Sequence, residues 1–324
     1  MELSTVNFNL SARIASLLTL LLGLSACQTL QPVDCKIAPP HSKLVVFGDS
    51  YSDMGNIAIK GTLAMPKPFY ERSRFSNGPV AVEWLAAARG LTDLSPSLHT
   101  IGCRVGYNFA VGGGNIRGAK PQDLERQVNA YLKMVENFGG ADPDALFVVV
   151  MGGNDIRSLK GTPNADAAGG EIDQILAQLF TQLERLEAAG AKKFLVANSG
   201  NMSKLPGIIN GPNPAVEMPR LQQYTDAYNT RFAPLFANFK SLHPTTIRQF
   251  DLLTTMSNII GNAIFTHSTD ACFDINQFPG PGQYHSGCAP GGANIDKFVF
   301  FDSVHASGKS HELLGIEMTN SAPP

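Results

Sequence analysis

Short runs of consecutive apolar residues alternate along the chain with longer segments in which apolar residues recur every three or four positions. An unbroken apolar run predicts a strand that is buried on both faces, and the longer spacing predicts an amphipathic helix. The predicted strands cover residues 43–47, 107–111, 145–151, 194–197 and 246–250, with a shorter apolar piece at 299–301.

The predicted helices cover residues 76–88, 124–135, 172–189, 221–239, 252–262 and 308–318. Residues 76–79 (Ser-Asn-Gly-Pro) are typical of a helix start, because they combine a capping side chain with a proline in the first turn. Gly190 is expected to end the third of these helices, and Pro234 is expected to kink or break the fourth.

Strands that alternate with helices predict an α/β domain with a central parallel sheet that is covered on both faces. Ligands of such sheets bind at the carboxyl ends of the strands. The sequence contains no internal repeat and no sign of a second domain, so residues 43–324 are expected to form one domain. Residues 263–296 are predicted to be an irregular stretch rich in glycine and proline. Loops of this length usually have a function.

The N-terminus has the features of an export signal. Residues 14–24 are an apolar run that is too short to span a bilayer but has the length of a signal-peptide core. The run ends in Leu24-Ser25-Ala26-Cys27, which resembles a bacterial lipobox. We therefore expect residues 1–26 to be a lipoprotein signal peptide, with Cys27 lipidated and residues 27–42 serving as a tether. Gln28 is unlike an inner-membrane retention signal, so the expected location is the outer membrane, on its periplasmic or its surface face.

Composition and charge limit the classes of function that the chain is expected to have. Hydrophobic residues make up 44% of the chain and charged residues 16%, which is typical of a globular protein. The formal net charge is −2 and there is no basic patch, so we expect no nucleic-acid partner.

Four cysteines remain when Cys27 is set aside, and an even number in an exported chain predicts two disulfides. Cys272 and Cys288 flank the glycine- and proline-rich stretch, so of the three possible pairings we predict theirs, which leaves Cys35 with Cys103.

Polar signatures recur at four points, three of them directly after predicted strands. They are 48–56 (GDSYSDMGN), 108–114 (NFAVGGG), 152–155 (GGND) and 302–305 (DSVH). Each motif alone is commoner as a turn or a helix start than as an active site. All four in this order are hard to attribute to chance, and they indicate one shared site.

Acyl transfer requires a nucleophile, a base that activates it, a carboxylate that orients the base, and donors for the developing oxyanion. Ser50 directly follows a predicted strand and can be the nucleophile, His305 the base, and Asp302 its orienting carboxylate three residues earlier. The backbone N–H groups of Ser50 and Gly113 and the side-chain amide of Asn154 can supply the oxyanion donors. No metal or organic cofactor is needed.

These motifs resemble the conserved blocks of the SGNH hydrolases, also called GDSL lipases and esterases. The resemblance extends from residue 44 to about residue 315 and includes the 76–79 segment, which is common in the lipase-like branch. It implies a flavodoxin-like three-layer α/β/α fold and the catalytic roles given above. Counting from Asn108 selects Gly113, although Gly112 and Gly114 are adjacent. Tyr51 and Ala306 depart from the family pattern, where leucine and proline are common, and neither change removes a catalytic atom.

Other residues have structural interpretations. Asp49 and Asp155 are expected to be buried carboxylates that pin their loops, and Asn56 is expected to hydrogen-bond within the first loop. His311 is expected to face solvent. The aromatic residues near the motifs could line an acyl-chain groove or simply fill the core; they are Tyr51, Phe69, Tyr70, Phe265, Phe273, Phe278 and Tyr284.

The leading hypothesis is therefore an esterase or lipase, acting on a lipid or an acylated small molecule and held to a membrane by its N-terminal lipid. A carbohydrate O-deacetylase or an acyltransferase would use the same triad. A surface lipoprotein that binds ligands on an inactive hydrolase fold is a fourth possibility, and the intact set of motifs disfavours it. The glycines at 112–114 do not continue as a dinucleotide-binding pattern, and neither G-x-S-x-G nor H-E-x-x-H is present.

Overall fold

The computed structural model describes residues 35, 42–59, 70–162, 165–274 and 283–324. Contacts divide the chain into two compact units, Met1–Cys35 and Lys36–Pro324, and Cys35 is the described residue of the first. The predicted signal peptide, Cys27 and nearly all of the predicted tether lie outside the described residues. In the described part of the chain, no helix has both the length and the apolar content needed to cross a membrane.

The described part contains strands and helices in regular alternation. In chain order they are β1 (Leu44–Gly48), α1 (Asn56–Ile59), α2 (Ala81–Ala88), α3 (Leu124–Val135), β2 (Leu146–Val150), α4 (Gly153–Ser158), α5 (Ala165–Ala188), β3 (Lys193–Ala197), α6 (Pro206–Ile209), α7 (Pro214–Leu242), β4 (Thr246–Phe250), α8 (Leu252–Ile260), β5 (His267–Ala271), β6 (Phe273–Asp274), β7 (Gln283–Tyr284), β8 (Phe298–Phe300) and α9 (Gly308–Ser321).

The central sheet is parallel, with the strand order β1-β2-β3-β4. Every residue of β1 and of β2 is buried, as expected of strands covered on both faces. Alternate side chains of β1 enter two different cores: Val45 packs with α3, α5 and α7, and Val46 packs with α2, α8 and α9. The predicted α/β class and its three-layer arrangement are therefore confirmed.

Residues 107–111, predicted to be a strand, are not a regular one. They run beside β1, where Val46 N donates to Tyr107 O (2.9 Å) and Phe109 N donates to Val46 O (2.7 Å). On their other side, the Asn56 amide donates to the carbonyls of Asn108 and Ala110, both at 2.8 Å. Among the described residues, backbone pairing on this side is limited to Asn108, whose carbonyl also accepts from Ser97 N (2.8 Å) and whose N–H donates to Ser95 O (2.9 Å). Counted with this segment, the spatial order of the sheet is the flavodoxin-like 2-1-3-4-5.

Of the two effects expected of Pro234, a kink or a break of its helix, the break does not occur. α7 continues through Pro219 and Pro234. Phe232 and Phe239, on either side of Pro234, are both buried and pack with tilted rings against Phe180 of α5. This packing stabilises the helix where the proline removes a backbone donor.

The stretch from 263 to 296 is not wholly irregular in its described part. β5 pairs with β8 in parallel and β6 pairs with β7 in antiparallel fashion, so the predicted apolar piece at 299–301 lies outside the central sheet. Cys272 and Cys288 form the predicted disulfide, with their Cα atoms 5.6 Å apart. Cys35 and Cys103 each take part in a disulfide as well.

Candidate active site

Ser50 lies in a tight turn that follows β1. Asp49 shapes this turn, since its carboxylate accepts from Tyr51 N (3.0 Å) and its carbonyl accepts from Ser52 N (3.1 Å). Gly48 allows β1 to approach β2 closely, because a Cβ there would lie 2.7 Å from the carbonyl oxygen of Val150. Ser50 is 7% exposed and its hydroxyl lies at the carboxyl edge of the sheet.

Ser50, His305 and Asp302 form a continuous chain of hydrogen bonds. His305 Nε2 lies 2.9 Å from Ser50 Oγ, and His305 Nδ1 lies 2.7 Å from Asp302 Oδ2. Ser50 and His305 are 255 positions apart in the sequence, and β8 delivers the short segment that contains Asp302 and His305. This is the arrangement in which an imidazole takes a proton from a serine hydroxyl while a carboxylate holds the ring.

The carboxylate of Asp302 is buried, with 2% exposure, and has four hydrogen-bond partners. Besides the His305 ring, it accepts from the backbone N–H groups of Val304 and His305 (both 2.8 Å) and from the Tyr70 hydroxyl (2.7 Å). Burial raises the pKa of Asp302, but the His305 charge and these donors outweigh it and lower the pKa to about 2. Asp302 is therefore an anion in the folded protein across the neutral range.

The three glycines at 112–114 have different surroundings. Gly112 N donates to Asp53 Oδ2 (2.7 Å) and Gly114 N donates to Val111 O (3.0 Å). Gly113 has a φ of +75°, and a Cβ built on it would meet no atom of the described part of the chain within 4 Å. Since its neighbours' N–H groups are engaged, Gly113 is the glycine of the three whose N–H can serve a ligand.

Asn154 is the second residue of α4, just beyond the end of β2. Its side-chain nitrogen donates to Gly114 O at 2.9 Å, which ties the end of β2 to the glycine loop. An amide nitrogen carries two hydrogens, so one remains for a bound group. Asn154 and Ser50 line the same pocket.

The buried aspartates hold these loops together, as expected for Asp49 and Asp155. Asp53 accepts from four backbone N–H groups, those of Gly55, Asn56, Ile57 and Gly112. Asp155 accepts from Ile116 N (2.9 Å) and Arg117 N (3.1 Å).

Burial sets the pKa of each of these carboxyl groups. It raises the pKa of Asp49 to about 6, that of Asp53 to about 6 and that of Asp155 to about 7, although the backbone donors oppose the change in each case.

Asn56 forms hydrogen bonds beyond its own loop, because its Oδ1 also accepts from Leu98 N at 2.8 Å.

Three contributors to the site have no motif in the sequence. Tyr70 donates to Asp302, the Phe75 ring packs 4.7 Å from the His305 ring, and Gln127 makes two hydrogen bonds to the backbone of Gly48. Gln127 lies on α3 and Tyr70 in a loop, far in sequence from the residues they contact. The only signal in the sequence was that Tyr70 is an aromatic residue near the serine motif. That signal did not decide whether Tyr70 lines a groove or belongs to the core.

His311 does not face solvent, so that prediction is wrong. It is 1% exposed, and its Nδ1 accepts from Ala81 N at 3.2 Å. Its ring lies 5.6 Å from the ring of Tyr51. Burial, assisted by the charge of His305, lowers the pKa of His311 to about 3 and keeps it neutral. The cause is the packing of α9 against α2, which encloses this face of the helix.

A pocket with a cavity volume of about 60 Å³ opens beside Ser50. Its walls are largely apolar, formed by residues from the ends of the central strands, from the segment after β3 and from α8. The apolar lining residues are Val150, Met151, Met202, Leu205, Leu252, Met256, Ile260, Phe300 and Val304.

The described aromatic residues near the motifs belong mostly to the core. Tyr51 lines the Ser50 pocket. The Tyr70 ring packs edge-to-face against Phe273 and Phe301, and Phe273 stacks on Phe301. Phe69 and Phe278 lie outside the described residues.

A family model matches residues 44–318, and its description is GDSL-like Lipase/Acylhydrolase. The chain is 27% identical over 293 residues to a thermolabile hemolysin of Vibrio parahaemolyticus, covering 87% of this chain and 64% of the hemolysin. It is 28% identical over 224 residues to an acetylesterase of Thermothelomyces thermophilus, covering 64% and 70% of the two chains. It is 32% identical over 192 residues to a phosphatidylcholine-sterol acyltransferase of Aeromonas hydrophila, covering 57% and 52%. The chain thus spans less than two thirds of the hemolysin and of the acyltransferase.

Proposed function

Because the chain belongs to the GDSL-like lipase and acylhydrolase family, we propose that it is a serine ester hydrolase with Ser50 as its nucleophile and that it prefers esters of aliphatic acyl chains. The proposed nucleophile is supported by the 2.9 Å contact between Ser50 Oγ and His305 Nε2 at the mouth of a pocket. The proposed acyl preference is supported by the apolar lining of that pocket.

The proposed reaction has two halves. His305 Nε2 takes the proton of Ser50 while Oγ attacks the ester carbonyl, and the protonated imidazole then gives the proton to the leaving alcohol. Water attacks the resulting acyl-enzyme with His305 again as base. Asp302, an anion through both steps, holds the ring and stabilises its charged form.

Three donors are proposed for the oxyanion: the backbone N–H groups of Ser50 and Gly113 and the free N–H of Asn154. The engagement of Gly112 and Gly114 elsewhere supports this choice of glycine. Donors that are already held in place cost little reorganisation when the negative charge develops.

The proposed acyl site is the apolar pocket beside Ser50. Burial of each methylene stabilises a bound chain by about 0.8 kcal/mol, so the apolar walls favour an aliphatic acyl group over acetyl. An acetyl-specific deacetylase would gain nothing from Leu252, Met256 and Ile260, which lie on α8. Transfer of the acyl group to an alcohol in place of water would use the same first half-reaction.

The proposal is tested by hydrolysis of p-nitrophenyl acetate, butyrate, octanoate and palmitate. We expect kcat/KM to rise from acetate to the longer esters, and Ser50→Ala to abolish it while Ser241→Ala, an exposed serine, does not. A strict acetate preference would support the deacetylase instead. Labelling of Ser50 by a fluorophosphonate without turnover would indicate an active serine with a narrower substrate.

Met256→Trp tests the acyl site directly. Met256 is 7% exposed and lines the pocket, so the larger ring is expected to fill it and to shift the preference towards short esters. The matched control is Leu242→Trp, at a position that is 69% exposed. An unchanged chain-length profile in Met256→Trp would locate the acyl chain elsewhere.

The proposed location is outside the cytoplasm, with Cys27 lipidated and the protein anchored in the outer membrane. The disulfides of the described chain support an oxidising compartment. Metabolic labelling with palmitate is expected to mark the wild-type protein and not Cys27→Ala. Labelling that persists in Cys27→Ala would refute the proposed lipidation site.

A further inference from the structure

The loop from Tyr70 to Ser76 has a strained backbone. Arg72 and Ser73 have φ angles of +45° and +67°, in the left-handed region that residues other than glycine rarely occupy. A hydrogen bond from Glu71 N to Ser76 O (2.9 Å) closes the loop. Strain of this kind persists only where surrounding contacts fix the conformation, and it clusters at functional sites. The contacts of this loop therefore show both what holds it and which part of the active site it serves.

Arg74 holds this loop against α2. Its guanidinium donates from Nε and Nη2 to the two carboxylate oxygens of Glu83, each at 2.5 Å. Glu83 also accepts from Val80 N (2.9 Å), so its carboxylate is fixed at the start of α2. The Arg74 and Glu83 side chains are only 10% and 17% exposed, and a two-pronged bond of this kind adds geometric precision to its strength. This bond fixes the position of the next residue, Phe75.

Phe75 lies between the glycine loop and the His305 ring. Only a glycine fits at position 112, because a Cβ on Gly112 would lie 2.3 Å from Phe75 Cε2. The Phe75 and His305 ring centroids are 4.7 Å apart and the ring planes differ by 34°. The rings are thus closer to parallel than to perpendicular, and Phe75 presents its face to the imidazole. The Tyr51 ring is 6.3 Å from the His305 ring, beyond the reach of about 6 Å for a cation on an aromatic face.

We propose that Phe75 is a positioning residue whose aromatic face stabilises the charged, imidazolium form of His305. This role rests on the function proposed above, in which His305 takes the proton of Ser50. The face of an aromatic ring is negative and attracts a cation. The His305 side chain is 14% exposed, so water screens this attraction only in part. Because the imidazolium forms during acyl transfer, the contact lowers the barrier more than it strengthens substrate binding.

The test removes electron density from the Phe75 ring while nearly keeping its shape. Mono-, tri- and pentafluorophenylalanine at position 75 weaken the negative face in steps. We expect kcat on p-nitrophenyl butyrate to fall at each step, to roughly a fifth or a tenth of the wild-type value with the pentafluoro ring, while KM changes little. The matched control is the same series at Phe180, a buried ring of α5, and it is expected to leave kcat unchanged.

Three substitutions test the same contact and the loop that holds it. Phe75→Leu keeps an apolar side chain without an aromatic face, so it is expected to lower kcat about as much as the pentafluoro ring. Arg74→Gln removes the two-pronged bond, so Phe75 is held less firmly and the effect of fluorination on kcat is expected to shrink. Lys133→Gln, which breaks an exposed ion pair with Glu136, is expected to leave the effect of fluorination intact. Thermal unfolding identifies any variant that fails to fold.

A kcat that stays constant across the fluorinated series at Phe75 would overturn this role. A loss of kcat/KM that comes wholly from KM would also overturn it, because it would assign Phe75 to substrate binding. An equal loss at Phe180 would show that fluorine acts through packing alone. All of these outcomes are read in an active enzyme. If the wild-type protein hydrolyses no ester, the proposed function fails, and the role of Phe75 fails with it.

Discussion

The hydroxyl of Tyr70 donates to the Asp302 carboxylate at 2.7 Å, although the two residues are 232 positions apart. Asp302 Oδ2, the oxygen that accepts this bond, also faces His305 Nδ1. Tyr70 is buried and its ring packs against Phe273 and Phe301, so the phenol is held rigidly. Tyr70 therefore positions the carboxylate that holds the ring of His305, the proposed base.

Tyr70→Phe is expected to lower kcat roughly tenfold with little change in KM, which corresponds to about 1.4 kcal/mol of barrier. It is also expected to reduce the free energy of unfolding by about 1.5 kcal/mol, the lower end of the range for a bond to a charged group, because two backbone donors remain. Ester hydrolysis and urea denaturation measure the two effects. Tyr107→Phe is the matched control, since the buried Tyr107 hydroxyl has no hydrogen-bond partner among the described residues. Equal kinetics in the two variants would contradict a positioning role.

Asp53 links the serine loop to the glycine loop through its four backbone bonds. In Asp53→Asn, the amide nitrogen would face an N–H group that the carboxylate now accepts, so one buried donor would lose its partner. We expect kcat to fall roughly 10- to 100-fold as Gly113 moves, and the free energy of unfolding to fall by about 1–3 kcal/mol. Asp144→Asn, at a side chain that is 74% exposed, is the control. Unchanged kcat in Asp53→Asn would show that the glycine loop needs no such link.

Asn154→Ala tests the proposed oxyanion donor. Removal of one such donor typically lowers kcat by about 10²- to 10³-fold, and we expect KM to change little because the charge develops only in the transition state. Steady-state kinetics on p-nitrophenyl butyrate measure the effect. Asn258→Ala, at an exposed position on α8, is the control. A loss confined to KM would assign Asn154 to ground-state binding instead.

The raised pKa values of the buried aspartates predict that the free energy of unfolding falls as the pH rises above about 4. Burial raises the pKa of Asp155 from 3.8 to about 7, so between these values the folded protein keeps a proton that the unfolded chain has released. The folded state therefore binds more protons, and the free energy of unfolding decreases with rising pH. Asp49 and Asp53 act in the same direction up to about pH 6.

The titration of Asp302 has the opposite effect on the free energy of unfolding, at lower pH. Its folded pKa of about 2 lies below 3.8, so its stabilisation is present above about pH 4 and is lost as the pH falls towards 2. Urea denaturation between pH 2 and pH 8 is expected to give a maximum near pH 4–5. Asp155→Asn is expected to flatten the decline towards pH 7, and an unchanged decline would contradict the assignment to Asp155.

Several features of the protein followed from its sequence because they depend on neighbouring positions. The period of apolar residues predicted the four strands of the central sheet and the major helices, since burial on one or two faces imposes that period. Asp302 and His305 are three residues apart, so their contact is within reach of one turn. Asp49 bonds to the N–H of Tyr51 inside the same loop, which is also a local event.

Tertiary structure decided the features that depend on contacts between distant segments. The packing of α9 against α2 buries His311, which the local sequence presented as exposed. The bond from Gly112 to Asp53, 59 positions away, separates Gly113 from its neighbours in a run of identical residues. Tyr70, Phe75 and Gln127 join the site only because the chain folds back on itself. A side chain's own neighbours in sequence carry no information on which remote donor, ring or charge will lie against it.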